Sequence, residues 1–376
     1  MSEPTIFMSA GDDSGDLHAS NLMRALSRIK PGVSYAGFGM KRMLGAGLKP
    51  LEPEDERGSA MWLHNLLRVG DFYRRLNACR KYFREVSPDV VVLVDYGGFN
   101  LYLARAATRQ GIPVVYYILP QVWAHGRYRL KKIRKWVTLP IVIYPFEPDL
   151  YESYGVQARY VGHPLFDHLA ENGPEEAEVH DLRENLGGRP VALFPGSRRQ
   201  EVSANLPVLL EAAGALRRRF TDLTFGLVCP DTVQPVAREL IEARRVEVFL
   251  PETDAPTLAA ASELCLTKSG TITLEIAALG TPMVICYRVN PLFYFLARGL
   301  TDTAHIGLIN NLAGREVCPE KAMPRFNPEW VVEKADRLLG DENHYAKCQR
   351  DIERVLKGFA CPGASERAAH AVAEFL

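Results

Sequence analysis

Along most of this chain, short apolar runs alternate with longer stretches in which apolar residues recur every three or four positions. In the first half the runs at residues 6–8, 90–94, 112–118, 141–144 and 158–161 read as strands, and the stretches between them include helices. The second half repeats the scheme, with strands at 191–194, 223–228, 246–250, 264–267 and 283–287 and helices at 203–218, 233–245 and 271–279. A run such as 90–94 is apolar at every position, so its strand is covered on both faces, as in a parallel sheet flanked by helices. Alternation of this kind predicts an α/β fold with one doubly wound parallel sheet in each half. Residues 167–189, rich in Glu, Asp, Gly and Asn, read as a surface linker, 308–316 as a polar loop, and 345–376 as one or two closing helices.

One stretch has a different character. Trp62, Leu66, Val69, Tyr73 and Leu76 recur at helical spacing, Phe72 widens the stripe, and Arg68, Arg74, Arg75, Arg80 and Lys81 surround it. Base rates favour a helix packed on the first core, but a basic amphipathic helix with Trp and Leu also suits acyl chains or an anionic membrane surface. Residues 127–135 are basic at six of nine positions, which fits a solvated helix face or contact with phosphate.

Composition narrows the class. At 376 residues the chain accommodates two domains of roughly 150 residues each. Its 45 basic and 45 acidic residues cancel, so bulk charge gives no reason to expect nucleic acid, and any anion site must be local. The seven cysteines are scattered without metal-ligand spacing and several lie in apolar runs, as reduced core thiols of a cytosolic protein do. No apolar run approaches the ~18 residues of a membrane span, and residues 1–4 lead straight into a strand without a signal pattern.

The candidate chemistry lies where strands end. Run 191–194 leads into Pro195, Gly196, Ser197, Arg198 and Arg199: a glycine that allows close backbone approach, amides at a helix start and two guanidinium groups, a combination suited to phosphate. Run 264–267 leads into Ser269, Gly270 and Thr271, followed by Glu275, which can accept two ribose hydroxyls or simply complement a helix dipole. Loops after neighbouring parallel strands converge at the carboxyl edge of a sheet, where open α/β sheets bind nucleotides. In the first half, Gly11, Asp12, Asp13, Ser14, Gly15 and Asp16 form an acidic glycine loop with His18 just beyond; helix capping and hydroxyl binding are favoured there over a metal. Asp95 leaves the buried run 90–94 into Tyr96, Gly97 and Gly98, as a catalytic base or as a helix cap.

Taken with Phe99 and Asn100 after Asp95, Trp123 in Pro120–Ala124, Glu147 after Pro145 and Phe146, His163 between Gly162 and Pro164, Glu201 and Val202, Tyr287 and Arg288, and Asn310 with Leu312, Gly314 and Arg315, these motifs give a specific resemblance. In order and approximate spacing the chain, from Ser9 to about Leu339, resembles the lipid A disaccharide synthase family of inverting glycosyltransferases. It departs from that family's pattern at Asp12, Tyr96 to Gly98, residues 119–125 and Ile309.

The resemblance implies a GT-B fold, two Rossmann-like domains facing across a cleft. Residues 1–168 would be the acceptor side, 169–189 a linker, 190–345 the UDP-sugar side, and 346–376 closing helices that pack back on the first domain. The implied reaction joins UDP-2,3-diacylglucosamine to 2,3-diacylglucosamine 1-phosphate, giving a β-1,6 disaccharide and UDP, with no cofactor and no metal. Asp95 would be the base, with Asp16 and His18 as rivals. Gly196, Ser197, Arg198, Ser269, Gly270, Thr271 and Glu275 would bind UDP, and Ser14, Gly15, Asn100, Trp123, Arg288, Asn310 and Arg315 the rest of the substrates. The face of Trp62, Leu66, Val69, Phe72 and Tyr73 would meet acyl chains or the membrane. The implied partners are the two substrates and the inner face of the cytoplasmic membrane, where the protein would be peripheral; a homodimer is one assembly left open. A GT-B enzyme with another acceptor, or a non-catalytic UDP-sugar binder, would share the donor motifs.

Overall fold

In both halves the central strands are apolar at nearly every position and buried on both faces, as suits the parallel pairing of each sheet. The computed structural model describes residues 3–51, 69–123, 126–288, 305–323 and 327–376. They divide into two compact units, Met1–Asp167 with Cys361–Leu376, and His168–Ala360.

The first unit holds a seven-stranded sheet in the order β3-β2-β1-β4-β5-β6-β7. Its strands are β1 (Thr5–Ala10), β2 (Ser34–Phe38), β3 (Leu48–Pro50), β4 (Val90–Val94), β5 (Val114–Tyr117), β6 (Leu139–Val142) and β7 (Arg159–Tyr160). Strand order runs outward in opposite directions from β1 and β4, which pair from Ile6 with Val90 to Ala10 with Val94. The loops after those two strands therefore flank the switch point, where such sheets bind ligands. One core layer packs Phe7, Val91, Leu93 and Tyr116 of the sheet against Leu76, Cys79 and Phe83 of helix Val69–Glu85 and Leu103 and Ala107 of helix Gly97–Thr108. Helix Ala364–Ala373 packs on helix Asp13–Ile29, and the Asp167 carboxylate caps it by accepting from the amides of Gly363, Ala364 and Ser365 at 2.6–3.0 Å.

The second unit holds a five-stranded sheet, β12-β11-β10-β8-β9, made of β8 (Arg189–Phe194), β9 (Leu223–Leu227), β10 (Leu264–Thr267), β11 (Met283–Arg288) and β12 (Glu320–Met323). Its switch point lies between β8 and β10, which pair from Leu264 with Val191 to Thr267 with Phe194.

Several local expectations change. Most of the acidic segment expected to be a linker is helical, Leu165–Asn172 and Glu176–Leu186. The second of these helices anchors on the second unit, with the Arg183 guanidinium donating to the carbonyls of Ala260 and Ala261 at 3.0 and 3.1 Å; its acidic face is simply the solvated one. The expected polar loop at 308–316 contains helix Leu308–Ala313. The expected strand at 246–250 is reduced to a single bridge from Phe249 to Gly226. Trp62 and Leu66, and the side chain of Val69, lie outside the described residues.

Candidate active site

At the switch point of the first unit the chain turns sharply. Asp95 and Tyr96 both adopt left-handed backbone angles, φ 47° and 49°. Such residues cost roughly 1–3 kcal/mol each and persist only where neighbours over-determine them. Here the neighbours are specific. The Asn100 amide donates to the carbonyls of Ser9, Val94 and Asp95 at 3.3, 3.2 and 2.9 Å, and its own Oδ1 accepts the Ser9 hydroxyl at 2.8 Å. The Tyr116 hydroxyl donates to the Asp95 carbonyl at 2.7 Å. The Tyr96 ring covers Gly11 so closely that a Cβ there would stand 2.2 Å from its Cγ.

These contacts fix the backbone of Asp95 and leave its carboxylate to the edge. Oδ1 accepts the Tyr96 N–H at 2.8 Å. Burial, reinforced by the like charge of Asp12, pushes the carboxyl up to about 6, against the pull of the Tyr96 amide and the Arg129 guanidinium. A group of that pKa is mostly ionised at neutral pH and accepts a proton readily.

The rival bases are placed differently. Asp16 is buried, and its oxygens accept the amides of Met40, Arg42 and Met43 at 2.6, 2.9 and 3.3 Å. It therefore caps the short helix Lys41–Gly45, with both carboxylate oxygens engaged by amides. Asp12 caps helix Asp13–Ile29 through the Gly15 amide at 2.7 Å, and a Cβ on Gly15 would meet that carboxylate at 3.0 Å. Two members of the acidic loop thus hold helix ends, and no cluster of metal-ligand geometry occurs among the described residues. His18 Nε2 lies 3.2 Å from the Ser14 hydroxyl, and its ring meets that of His163 edge-on at 6.4 Å. His163 is buried, accepts the Leu165 N–H on Nδ1, and is pushed down to about 3 by burial and then by His18.

Four expected substrate contacts have partners within their own units. Asn100 positions the Asp95 turn. The Trp123 indole donates to Glu147 Oε1 at 2.9 Å and packs on Tyr144 and Phe146. Asn310, in the second unit, is buried, accepts the amides of Val317 and Cys318, and donates to the Cys318 carbonyl. Arg315 is likewise engaged, paired with Asp351 at 2.9 Å.

The second unit's switch point gathers the phosphate-type residues. Gly196 has φ 123°, and Ser197 and Arg198 lead into helix Arg199–Arg219. The Ser197 amide donates to Glu201 Oε2 at 3.1 Å, Lys268 Nζ donates to Glu201 Oε1 at 2.9 Å, and the exposed Arg198 guanidinium lies 3.8 Å from that oxygen. The Ser269 hydroxyl donates to the Ile306 carbonyl at 2.6 Å. Gly270 and Thr271 follow it, and Glu275, one turn on, is raised by burial and then by Asp254. Asn205 ties two of these segments together, donating to the Pro195 carbonyl at 3.0 Å and accepting the Arg288 N–H at 3.2 Å, while the Arg288 residue is exposed.

The sequence reading passed over the roles of Lys268, Asn205 and Glu147. A lysine abutting Ser269 and Gly270, and an asparagine inside the apolar stripe of Val202, Leu206 and Leu209, were the available signals.

A family model described as lipid-A-disaccharide synthetase matches residues 6–375. The lipid-A-disaccharide synthase of Geobacter sulfurreducens is 36% identical over 372 residues, 99% of this chain and 97% of that protein. That of Anaeromyxobacter dehalogenans strain 2CP-1 is 37% identical over 372 residues, 98% of this chain and 96% of that protein. Among solved structures, the S. aureus MnaA-UDP co-structure has a TM-score of 0.67 at 15% identity, covering 99% of this chain and 96% of that one. Acinetobacter baumannii MurG has a TM-score of 0.62 at 14% identity, covering 99% of each chain. Those two likenesses establish a shared fold, GT-B.

Proposed function

The chain belongs to the lipid-A-disaccharide synthase family, and we propose that its first unit deprotonates an acylated glucosamine 1-phosphate acceptor while its second unit holds a UDP-sugar donor. It is a glycosyltransferase that forms the lipid A disaccharide. In the proposed step the Asp95 carboxylate takes the proton of the acceptor 6-hydroxyl, and that oxygen bonds to the anomeric carbon of UDP-2,3-diacylglucosamine. The bond from that carbon to the UDP oxygen breaks, and the sugar inverts. Arg198, the Ser197 amide and the loop from Ser269 to Thr271 stabilise the charge growing on the leaving diphosphate, and Glu275 takes the ribose. Ser14 and His18 line the acceptor side.

The observation that supports this reading most is the Asp95 turn: a strained, over-determined backbone presenting a carboxyl raised to about 6 at the switch point of its sheet. The test is UDP release from UDP-2,3-diacylglucosamine with and without 2,3-diacylglucosamine 1-phosphate, followed by mass spectrometry of the lipid. Acceptor-dependent release with a tetra-acylated disaccharide phosphate is expected; UDP binding without that product would sink the acceptor assignment.

Both substrates carry acyl chains, so the enzyme works peripherally at the inner face of the cytoplasmic membrane. Among the described residues no helix is long and apolar enough to cross it. An exposed belt supports contact with its surface. The Phe72 ring meets Tyr73 and Tyr102 at 5.6 and 5.2 Å, and Lys132 lies 5.6 Å from Tyr102 and 5.7 Å from Tyr128. Exposed tyrosines beside cations suit an anionic headgroup layer. Lys132→Glu should reduce cosedimentation with anionic vesicles, and unchanged cosedimentation counts against this belt.

A further inference from the structure

Lys268 is a cation beside the second unit's switch point that the donor reading leaves without a task. Its ammonium is 2.9 Å from Glu201 Oε1, 3.6 Å from where a Cβ on Gly270 would stand, and 5.7 Å from the Tyr287 ring centroid. Its backbone N–H donates to the Phe194 carbonyl at 2.9 Å. One point charge thus touches the segments at the ends of β8, β10 and β11, beside the switch point between β8 and β10.

Glu201 meets it from the other side. Its carboxylate holds the ammonium, the Ser197 amide and, at 3.8 Å, the Arg198 guanidinium, and a Cβ on Gly196 would stand 2.5 Å from Oε2. The side chains of Lys268 and Glu201 are only 18% and 15% exposed, so this pair is built into the fold rather than lying on its surface. An ammonium, a loop amide and a guanidinium converging on one oxyanion form the donor set that binds a phosphate.

We propose that Glu201 is an internal stand-in for the donor's diphosphate and that Lys268 is the cation which receives that diphosphate. The inference rests on the reading that the second unit binds the UDP-sugar. When the donor enters, its phosphate oxygens take the ammonium and the Ser197 amide, and the Glu201 carboxylate releases both. Lys268 is then never left buried without a counter-charge, a state that would be costly. During transfer, as the bond from the anomeric carbon to the UDP oxygen breaks, the same ammonium stabilises the charge on the departing phosphate.

Titration calorimetry with UDP on the wild type, K268M, K268R and E201Q tests this, with ligand-free melting curves as the control for folding. K268M should bind UDP about ten- to a hundredfold more weakly, with K268R recovering most of the loss. In turnover K268M should raise the donor KM and also lower kcat, because the leaving group loses a cation. E201Q keeps the side chain's shape and removes the competing charge, so it should bind UDP several-fold more tightly than wild type. Wild-type affinity in K268M removes Lys268 from the diphosphate site. Equal or weaker UDP binding by E201Q overturns the stand-in, and that variant decides the matter if K268M does not fold. A wild type that binds no UDP overturns the donor reading itself, before any variant is compared.

Discussion

The two sheets share a winding scheme, and each presents its chemistry where strand order reverses, yet their loops treat a carboxylate in opposite ways. In the first unit burial and the like charge of Asp12 push Asp95 up to about 6, and neutral groups from Asn100 and Tyr116 hold its backbone. In the second, burial alone would raise Glu201, but the hydrogen bond and charge of Lys268, with the Ser197 amide and the Arg198 charge, together outweigh it and hold the group below the ordinary glutamate value. The topology supplies an edge, and the charges placed there decide which way a carboxylate at that edge is shifted.

The largest effect expected from breaking this contrast is at Asp95 itself. Asp95→Asn suits the left-handed backbone and removes only the proton acceptor, so kcat should fall by about 10²–10⁴ while UDP affinity stays at the wild-type value. The sign with pH follows from the raised pKa. A base works deprotonated, so with Asp95 in that proposed role kcat/KM should rise about tenfold per unit up to pH 6 and level off above it. The folded state, in turn, favours the protonated form, so stability contributed by this carboxyl is present below its unfolded value of 3.8 and lost as pH rises through about 6. Asp95→Asn should therefore melt no lower than wild type at pH 7. A flat rate profile between pH 5 and 7 would remove Asp95 from the base role.

A matched pair of asparagines sharpens the comparison at intermediate size. Asn100→Ala strips donors from buried carbonyls around the strained turn, and Asn205→Ala unties Pro195 from Arg288. Each should lower stability by about 1–3 kcal/mol, measured by denaturant titration. Their kinetic signatures should part: Asn100→Ala lowers kcat by misplacing the base, and Asn205→Ala raises the donor KM. The same signature from both would mean that the two units do not divide the reaction.

The fold was legible wherever burial is symmetric. Strand β4 is apolar at every position and announces itself, whereas β3 and β12 lie at sheet edges and are largely polar, with only Leu48 and Met323 fully buried. Asp95 drew notice as a carboxylate ending such a strand, with a helix cap as its local alternative. The positioning role of Asn100 was hidden because its partner Ser9 lies 91 residues away, and Lys268 was passed over because Glu201 precedes it by 67. Side chains whose meaning rests on partners brought in by topology give no periodic signal. Asp16 shows the same limit in part: a cap was expected in its loop, but that it caps helix Lys41–Gly45 rests on the amides of Met40 and Arg42, brought in by β2 and its turn.

The smallest effect is expected at Arg315, and it bears on how far the second unit's cationic site extends. Arg315, Lys347 and Arg354 all reach the Asp351 carboxylate, at 2.9, 2.9 and 3.2 Å. The hydrogen bonds from Arg315 and Lys347 hold Asp351 down to about 2. With three cations on one carboxylate, removing one leaves Asp351 paired, and exposed members of such networks contribute little individually. Arg315→Ala should therefore leave kcat and the donor KM unchanged and lower Tm only slightly, by less at high salt than at low. A raised donor KM would place Arg315 with Arg198 and Lys268 in donor binding, and the anion site would then reach beyond the loops after β8, β10 and β11. Unchanged kinetics would confine it to those loops, where Lys268 and the Ser197 amide already meet on one carboxylate.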